Sequence, residues 1–230
     1  MMGMPFFIQK RSKKSDVPLK TFYIGGILYD WLLEPPLKNI KKHAARFISD
    51  YELYPALDIC CGSGTQCHRI VQWKNEVYGL DLDERMIQYA STKYPQIPFM
   101  CADAEKIPIK DSCVRGVILS FALHDKYPET RTKMLQEIRR ILYPEGKVVF
   151  VDFECPWNRT SKMASLYIYG IERLAGRVHF RNGRNFLAQG GLRSFLEKNG
   201  LAEIERYDVD MAHTGIVVAE FIGGKRIGEA

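Results

Sequence analysis

The sequence predicts a doubly wound α/β fold, a sheet of about seven mostly parallel strands with helices on both faces and an antiparallel hairpin at its C-terminal end. Three observations lead there. Short apolar runs alternate with stretches of helical spacing, which places crossover helices between parallel strands. A glycine turn joins the first run to the helical stretch after it. The last two runs are separated only by Asp210 to Thr214, far short of the dozen or more residues a parallel crossover needs.

A leading helix is expected over Leu37 to Ser49, entered after Pro35-Pro36, with Ile40, Ala44 and Phe47 on one side. Ala56 to Cys61, Val77 to Leu82, Pro98 to Ala102, Val114 to Phe121 and Lys147 to Phe153 are strand-length apolar runs, the last two rich in β-branched residues. Helices are expected at Thr65 to Trp73, Glu84 to Tyr94 and Glu129 to Leu142, where Met134, Ile138 and Ile141 recur at helical spacing. After Phe153 comes an apolar, basic stretch, then a helix from Gly191 to Asn199 closed by Gly200. Ala202 to Val209 and Gly215 to Phe221 complete the sheet.

Composition excludes several classes. Hydrophobic residues at 46% and charged residues at 26% are globular values and argue against wholesale disorder. The six cysteines form no C-x-x-C pair, and four lie in or beside buried strands, so reduced thiols and no structural metal are expected. The first apolar run is too short for a secretory signal and its basic residues follow it. No stretch approaches the roughly 20 apolar residues of a membrane span, so a cytoplasmic location is expected. Residues 1–48 hold nine basic against three acidic residues, which is the whole net charge of +6. We read this as a solvated arm, with no nucleic-acid partner; peripheral membrane contact and oligomeric state stay open. The organisation expected is a basic arm with leading helices over residues 1–50 and a main domain over 51–230, carrying an insertion near 154–188.

The strongest local signal is Ala56-Leu57-Asp58-Ile59-Cys60-Cys61-Gly62-Ser63-Gly64-Thr65, an apolar strand, a glycine turn and a helix. Ligands of open α/β sheets bind at the carboxyl ends of strands, where glycine lets them approach bare backbone. The next strand ends in Asp81, 19 positions beyond Gly62, placed to accept both hydroxyls of a ribose. Gly62, Gly64 and Asp81 together signal adenosine. A third glycine of the dinucleotide pattern is missing, since Cys67 stands there, and Asp58 ahead of the turn would repel a pyrophosphate. A ligand carrying an ammonium and a sulfonium would gain from that carboxylate.

These residues resemble the class I S-adenosylmethionine-dependent methyltransferases, whose first motif reads hydrophobic-Asp-hydrophobic-Gly-x-Gly-x-Gly, with Cys60 here replacing the first glycine. The resemblance continues through Asp81 with Met86, Cys101-Ala102-Asp103-Ala104-Glu105-Lys106-Ile107-Pro108 and Leu142-Tyr143-Pro144-Glu145-Gly146-Lys147. It covers about residues 55–153 and is greatest to the ubiquinone/menaquinone biosynthesis branch. It implies a Rossmann-like fold and S-adenosylmethionine as cofactor, with S-adenosylhomocysteine as product. It implies that Gly62, Ser63 and Gly64 lie beside the amino acid part of the cofactor and that Asp81 holds the ribose. Asp103 and Ala104 would clamp the adenine edge, and Leu82 and Met86 would cover its faces. Ser120 and Phe121 would flank the methionine moiety, Cys60 would line the site through its backbone, and Tyr29 would reach the cofactor carboxylate.

Methyl transfer from a sulfonium is an in-line displacement that positioning alone can largely catalyse, so no nucleophilic triad is sought. If the acceptor arrives protonated, His124, just beyond Ser120-Phe121-Ala122-Leu123, is the best-placed base; Asp152, Glu154, His179 and His213 are the others. Residues 154–193 hold seven basic against two acidic residues with Trp157, Tyr167, Tyr169 and Phe180, material for an apolar acceptor pocket with Arg181 and Arg184 toward an anionic or phenolic end. The acceptor expected is a small molecule, quinone-like or another apolar ring. A cofactor-binding regulatory domain without turnover is the second reading, and a nicotinamide-dependent reductase the third.

Overall fold

A computed structural model of the chain describes residues 37–74, 76–155, 177–209 and 213–223. The elements are helix α1 (residues 37–50), β1 (Ala56–Ile59), α2 (Thr65–Ile70), β2 (Val77–Asp81), α3 (Glu84–Lys93), β3 (Phe99–Cys101), β4 (Val114–Ser120), α4 (Pro128–Ile141), β5 (Leu142–Phe153), α5 (Arg177–Ala188), α6 (Gly191–Lys198), β6 (Leu201–Val209) and β7 (Thr214–Phe221). They form one seven-stranded sheet in the order β3-β2-β1-β4-β5-β7-β6. The first five strands pair parallel, and β7 runs antiparallel to both of its neighbours.

Alternation along each strand explains the two-faced core. Leu57, Ile59, Leu80, Val117, Leu119, Val148 and Phe150 pack on one side with Met134, Leu135, Ile138 and Ile141 of α4 and with Phe186, Leu192 and Leu196 of α5 and α6. Ala56, Ile118, Val149, Val151 and Ile216 pack on the other with Ile40, Ala44 and Ile48 of α1, Cys67 and Ile70 of α2 and Ile87 of α3. Both faces being covered is why the central strands read as continuous apolar runs. Edge strand β6 exposes charged side chains instead, which discourages pairing with another chain.

Three elements differ from expectation. The Tyr143-Pro144-Glu145-Gly146 segment, read as a break before a strand at Lys147, lies inside a strand that starts at Leu142 directly after α4. The register jumps there from Val114↔Leu142 to Gly116↔Lys147, so the turn-forming residues are absorbed as a bulge. Helix α2 ends at Ile70, three residues early, in a turn. The stretch before Gly191, left without an element, contains helix α5. Its apolar signal is thin and Gly183 weakens it, but Asn182 and Phe186, four apart, are buried against α4, and such packing rather than propensity stabilises the helix. Trp157, Tyr167, Tyr169 and Tyr29 lie outside the described residues.

Candidate functional site

Strand register builds the site. Ile59 pairs with Leu80 and with Leu119, Asp81 pairs with Cys101, and Ser120 pairs with Val151. Cys101, Asp81, Cys60, Ser120 and Val151 therefore form one row across the carboxyl edge of five parallel strands. One step beyond it lie Leu82, Cys61, Phe121 and Asp152.

The loop after β1 is left-handed at alternate residues, Cys60 at φ 59, Gly62 at φ 52 and Gly64 at φ 74. Cys60, which replaces the first glycine of the motif, occupies the conformation for which glycine is suited, at a cost of about 1–2 kcal/mol. Gly64 has a second reason to be glycine, since a Cβ there would lie 2.5 Å from the Phe99 ring. It lets the loop pack against β3 while capping α2. Burial pushes the Cys60 thiol up to about 12, so it stays protonated.

Asp81 fastens the loop. Its Oδ2 accepts the Gly62 N–H at 2.8 Å and its Oδ1 accepts the Asp83 N–H at 2.9 Å, and each oxygen keeps acceptor capacity for a hydroxyl. Beside it Leu82 is 69% exposed, an apolar side chain with nothing over it at the end of a buried strand, and Met86 is half-buried on the next turn. Asp103 is exposed, and its Oδ1 accepts the Glu105 N–H at 2.9 Å, while Ala104 is buried beneath. Asp58, the carboxylate expected to favour a cationic ligand, is buried. It is 1% exposed, lies under the loop and accepts the Cys67 thiol at 3.2 Å, and burial lifts its pKa to about 7.

The hydroxyls of Ser63 and Ser120 are buried and make no hydrogen bond among the described residues. Buried polar atoms are nearly always paired, so two of them at the carboxyl ends of the neighbouring strands β1 and β4 call for an occupant with polar groups. The amino acid end of S-adenosylmethionine meets that requirement, the Asp81 carboxylate suits its ribose, and Leu82 suits a flat apolar base. The residues present fit this cofactor.

A profile of the family described as methyltransferase domain matches residues 56–146, from the start of β1 to the bulge in β5. This stretch of the chain is similar to a methyltransferase domain. S-adenosylmethionine is the methyl donor of such a domain. The chain is 30% identical over 141 residues to the 2-phytyl-1,4-naphtoquinone methyltransferase of Trichormus variabilis, covering 57% of this chain and 61% of that one. It spans about three fifths of that relative's length. It is 28% identical over 186 residues to the ubiquinone/menaquinone biosynthesis C-methyltransferase UbiE of Cupriavidus metallidurans, covering 74% of each. Among solved structures, a putative S-adenosylmethionine-dependent methyltransferase from Methanococcus maripaludis superposes with a TM-score of 0.59 over 95% of this chain and 99% of that one, at 16% identity, a likeness of fold.

Beyond the loop after β1, a second cluster gathers at the ends of β4 and β5. Phe121 has φ 54, and this left-handed turn leads the chain from β4 into the loop that carries His124. His124 is 3% exposed, and its Nδ1 lies at hydrogen-bond distance from Asp152 Oδ1, 2.8 Å. Its ring lies 4.6 Å from Phe153 and, edge to face, 5.2 Å from His179 of α5. Phe153 also touches Phe121 at 5.6 Å and His213 at 5.5 Å. Four of the five candidate bases thus meet through one phenylalanine, either in contact with it or with its neighbour His124.

Their chemistries differ. Burial alone would push Asp152 up, but His124 and the backbone donors around it outweigh burial and hold the carboxyl below its ordinary range, so it is a charged partner and not a base. His213 is pulled down by burial and donates Nδ1–H to the Glu154 carbonyl at 2.6 Å. Glu154 is pushed up by burial, partly offset by Arg206 at 2.5 Å, and serves that ion pair. Sequence reasoning missed Arg131, whose buried guanidinium donates to the carbonyls of Leu123 at 2.7 Å and His124 at 3.3 Å. It also missed Asp125, 3.7 Å from His179. An arginine amid the apolar positions of α4 was the available signal. Among the described residues there is no cluster suited to a metal and no helix long and apolar enough to cross a membrane.

Proposed function

We propose that the chain transfers the methyl group of S-adenosylmethionine to a small apolar ring acceptor of the quinone type, with His124 as general base. The observation that carries this reading is the cluster of Phe121, His124, Phe153 and His179, which begins at Phe121 one register step beyond the row that holds Asp81, Cys60 and Ser120. Aromatic walls beside the donor loop suit a flat ring, and the names of the two relatives are those of quinone methyltransferases.

Each residue has a part in this reading. Asp81 takes the ribose hydroxyls, Leu82 and Met86 the adenine faces, Asp103 and Ala104 its edge. Gly62, Ser63, Gly64 and Ser120 hold the amino acid end, with Cys60 contributing backbone, Phe121 flanking the methionine part and Tyr29 reaching the carboxylate. Asp58 acts from beneath the loop, by charge rather than contact. The bound cofactor supplies an electrophilic methyl group, and the protein contributes alignment, exclusion of water and removal of one proton.

The test is incubation with methyl-labelled S-adenosylmethionine and a reduced 2-alkyl-1,4-naphthoquinone. A labelled ring product that needs the protein is expected. Label appearing instead only on amines or macromolecules of a cell extract would overturn the acceptor class and leave the donor reading standing.

A further inference from the structure

We infer that Asp152 is a positioning residue that fixes the tautomer of His124, so that a neutral imidazole presents its basic Nε2 while Nδ1 keeps its hydrogen. The inference rests on His124 being the base of the proposed reaction. The geometry goes well beyond a single contact. Asp152 is 1% exposed and receives four hydrogen bonds: His124 Nδ1 at 2.8 Å and Phe153 N–H at 2.8 Å on Oδ1, Leu123 N–H at 2.9 Å and His124 N–H at 3.3 Å on Oδ2. Four donors compensate a buried carboxylate that would otherwise be expensive to keep charged. Such an acceptor can only be approached by N–H, which settles which ring nitrogen carries hydrogen.

The same loop is held from its other side. Arg131 of α4 binds the carbonyls of Leu123 and His124, and Asn182 of α5 donates to the Asp125 carbonyl at 2.8 Å. Backbone N–H groups are pinned by β5 and carbonyls by α4 and α5, so the imidazole has little room to turn about its own backbone. A loop that needed only anchoring would require the backbone contacts; the bond to Nδ1 serves the ring alone. When His124 accepts a proton at Nε2 it becomes an imidazolium, and Asp152 stays a carboxylate throughout, balancing the new charge without taking the proton.

The charged and titratable groups around His124 are Asp152 of β5, Asp125 and Lys126 of its own loop, Arg131 of α4, His179 of α5 and, across Phe153, His213. Asp152 is the one whose removal should change the ring's state most. The experiment is long-range 1H–15N correlation spectroscopy of the full chain from pH 6 to 9, with His124 assigned by the signal lost in His124→Gln. The neutral native ring is expected to carry hydrogen on Nδ1, favoured by about tenfold or more. In Asp152→Asn the amide oxygen can keep accepting the Leu123 and His124 N–H groups while its NH2 faces Nδ1 and gives up the Phe153 N–H, so the hydrogen should move to Nε2. Unchanged affinity for S-adenosylhomocysteine confirms that the variant is folded and that the donor site is independent.

A neutral native ring bearing hydrogen on Nε2, or a folded Asp152→Asn whose tautomer does not change, overturns the inference while leaving the methyltransferase reading intact. Should Asp152→Asn not fold, the native protein still decides: hydrogen on Nε2 of the neutral His124 ring overturns the inference.

Discussion

The half of the sheet formed by β1, β2 and β3 and the half formed by β4, β5 and β7 each build part of the site, by opposite means. On the first side, one loop of five residues and the acid that ends the next strand do nearly everything, and Asp81 reaches Gly62 across adjacent strands. On the second, the cluster joins His124 to Asp152 over 28 residues and to His179 on a helix after β5. A ligand common to many proteins can be held by a compact backbone cradle. Recognition of a particular acceptor has to be assembled from side chains that meet only once the chain has folded.

If this division holds, the two halves should fail separately. The largest effect belongs to His124→Ala, which should cut methyl transfer by about 10²–10⁴ while calorimetry shows affinity for S-adenosylhomocysteine unchanged. Equal losses in both measurements would mean that the halves are not separable.

Asp58 offers a pH test of the loop's foundation. Its folded pKa of about 7 lies above the ordinary carboxylate value, so between about pH 4 and 7 the folded state binds more protons than the unfolded one. Its contribution to native stability therefore falls as pH rises through that window, with a limiting slope of about 1.4 kcal/mol per pH unit, and levels off above it. Denaturant unfolding of Asp58→Asn and native protein should show the variant gaining on the native chain from pH 4 to 7. A constant difference would show that Asp58 is not held under the loop as described.

Packing beneath the cradle is tight. A Cβ at Gly79 would lie 2.4 Å from the Phe99 ring and 2.9 Å from the Cys61 sulfur, so Gly79→Val should cost about 1–3 kcal/mol in denaturant midpoint. The smallest expected effect is a gain. Cys60→Gly relieves the left-handed strain at φ 59 but adds unfolded-chain entropy, for a net stabilisation of about 1 kcal/mol or less.

The same division governs what the sequence made legible. Gly62, Gly64 and Asp81 could be read as a candidate site because that pattern is one of local spacing, and the mostly parallel sheet with its antiparallel end followed from alternation and one short connection. The conformation of Cys60 was hidden, since cysteine carries no signal for positive φ. Helix α5 was hidden because its apolar face is small and becomes a face only against α4. His124 and Asp152 were both visible as candidates, but their pairing depends on β4 and β5 being neighbours, which no local pattern states. Arg131 stood out amid the apolar positions of α4, but its carbonyl partners lie on a loop that no local pattern brings to it.

Calorimetry of S-adenosylhomocysteine binding to native protein and to Asp81→Ala tests the donor cradle most directly. Removal of the carboxylate deletes the acceptor for the ribose and the tether of Gly62, and hydrogen bonds to a charged group contribute about 1.5–3 kcal/mol each. Affinity should fall about a hundredfold or more. Equal affinity in the two proteins would contradict the assignment of the loop after β1 and the acid of β2 as the adenosyl site.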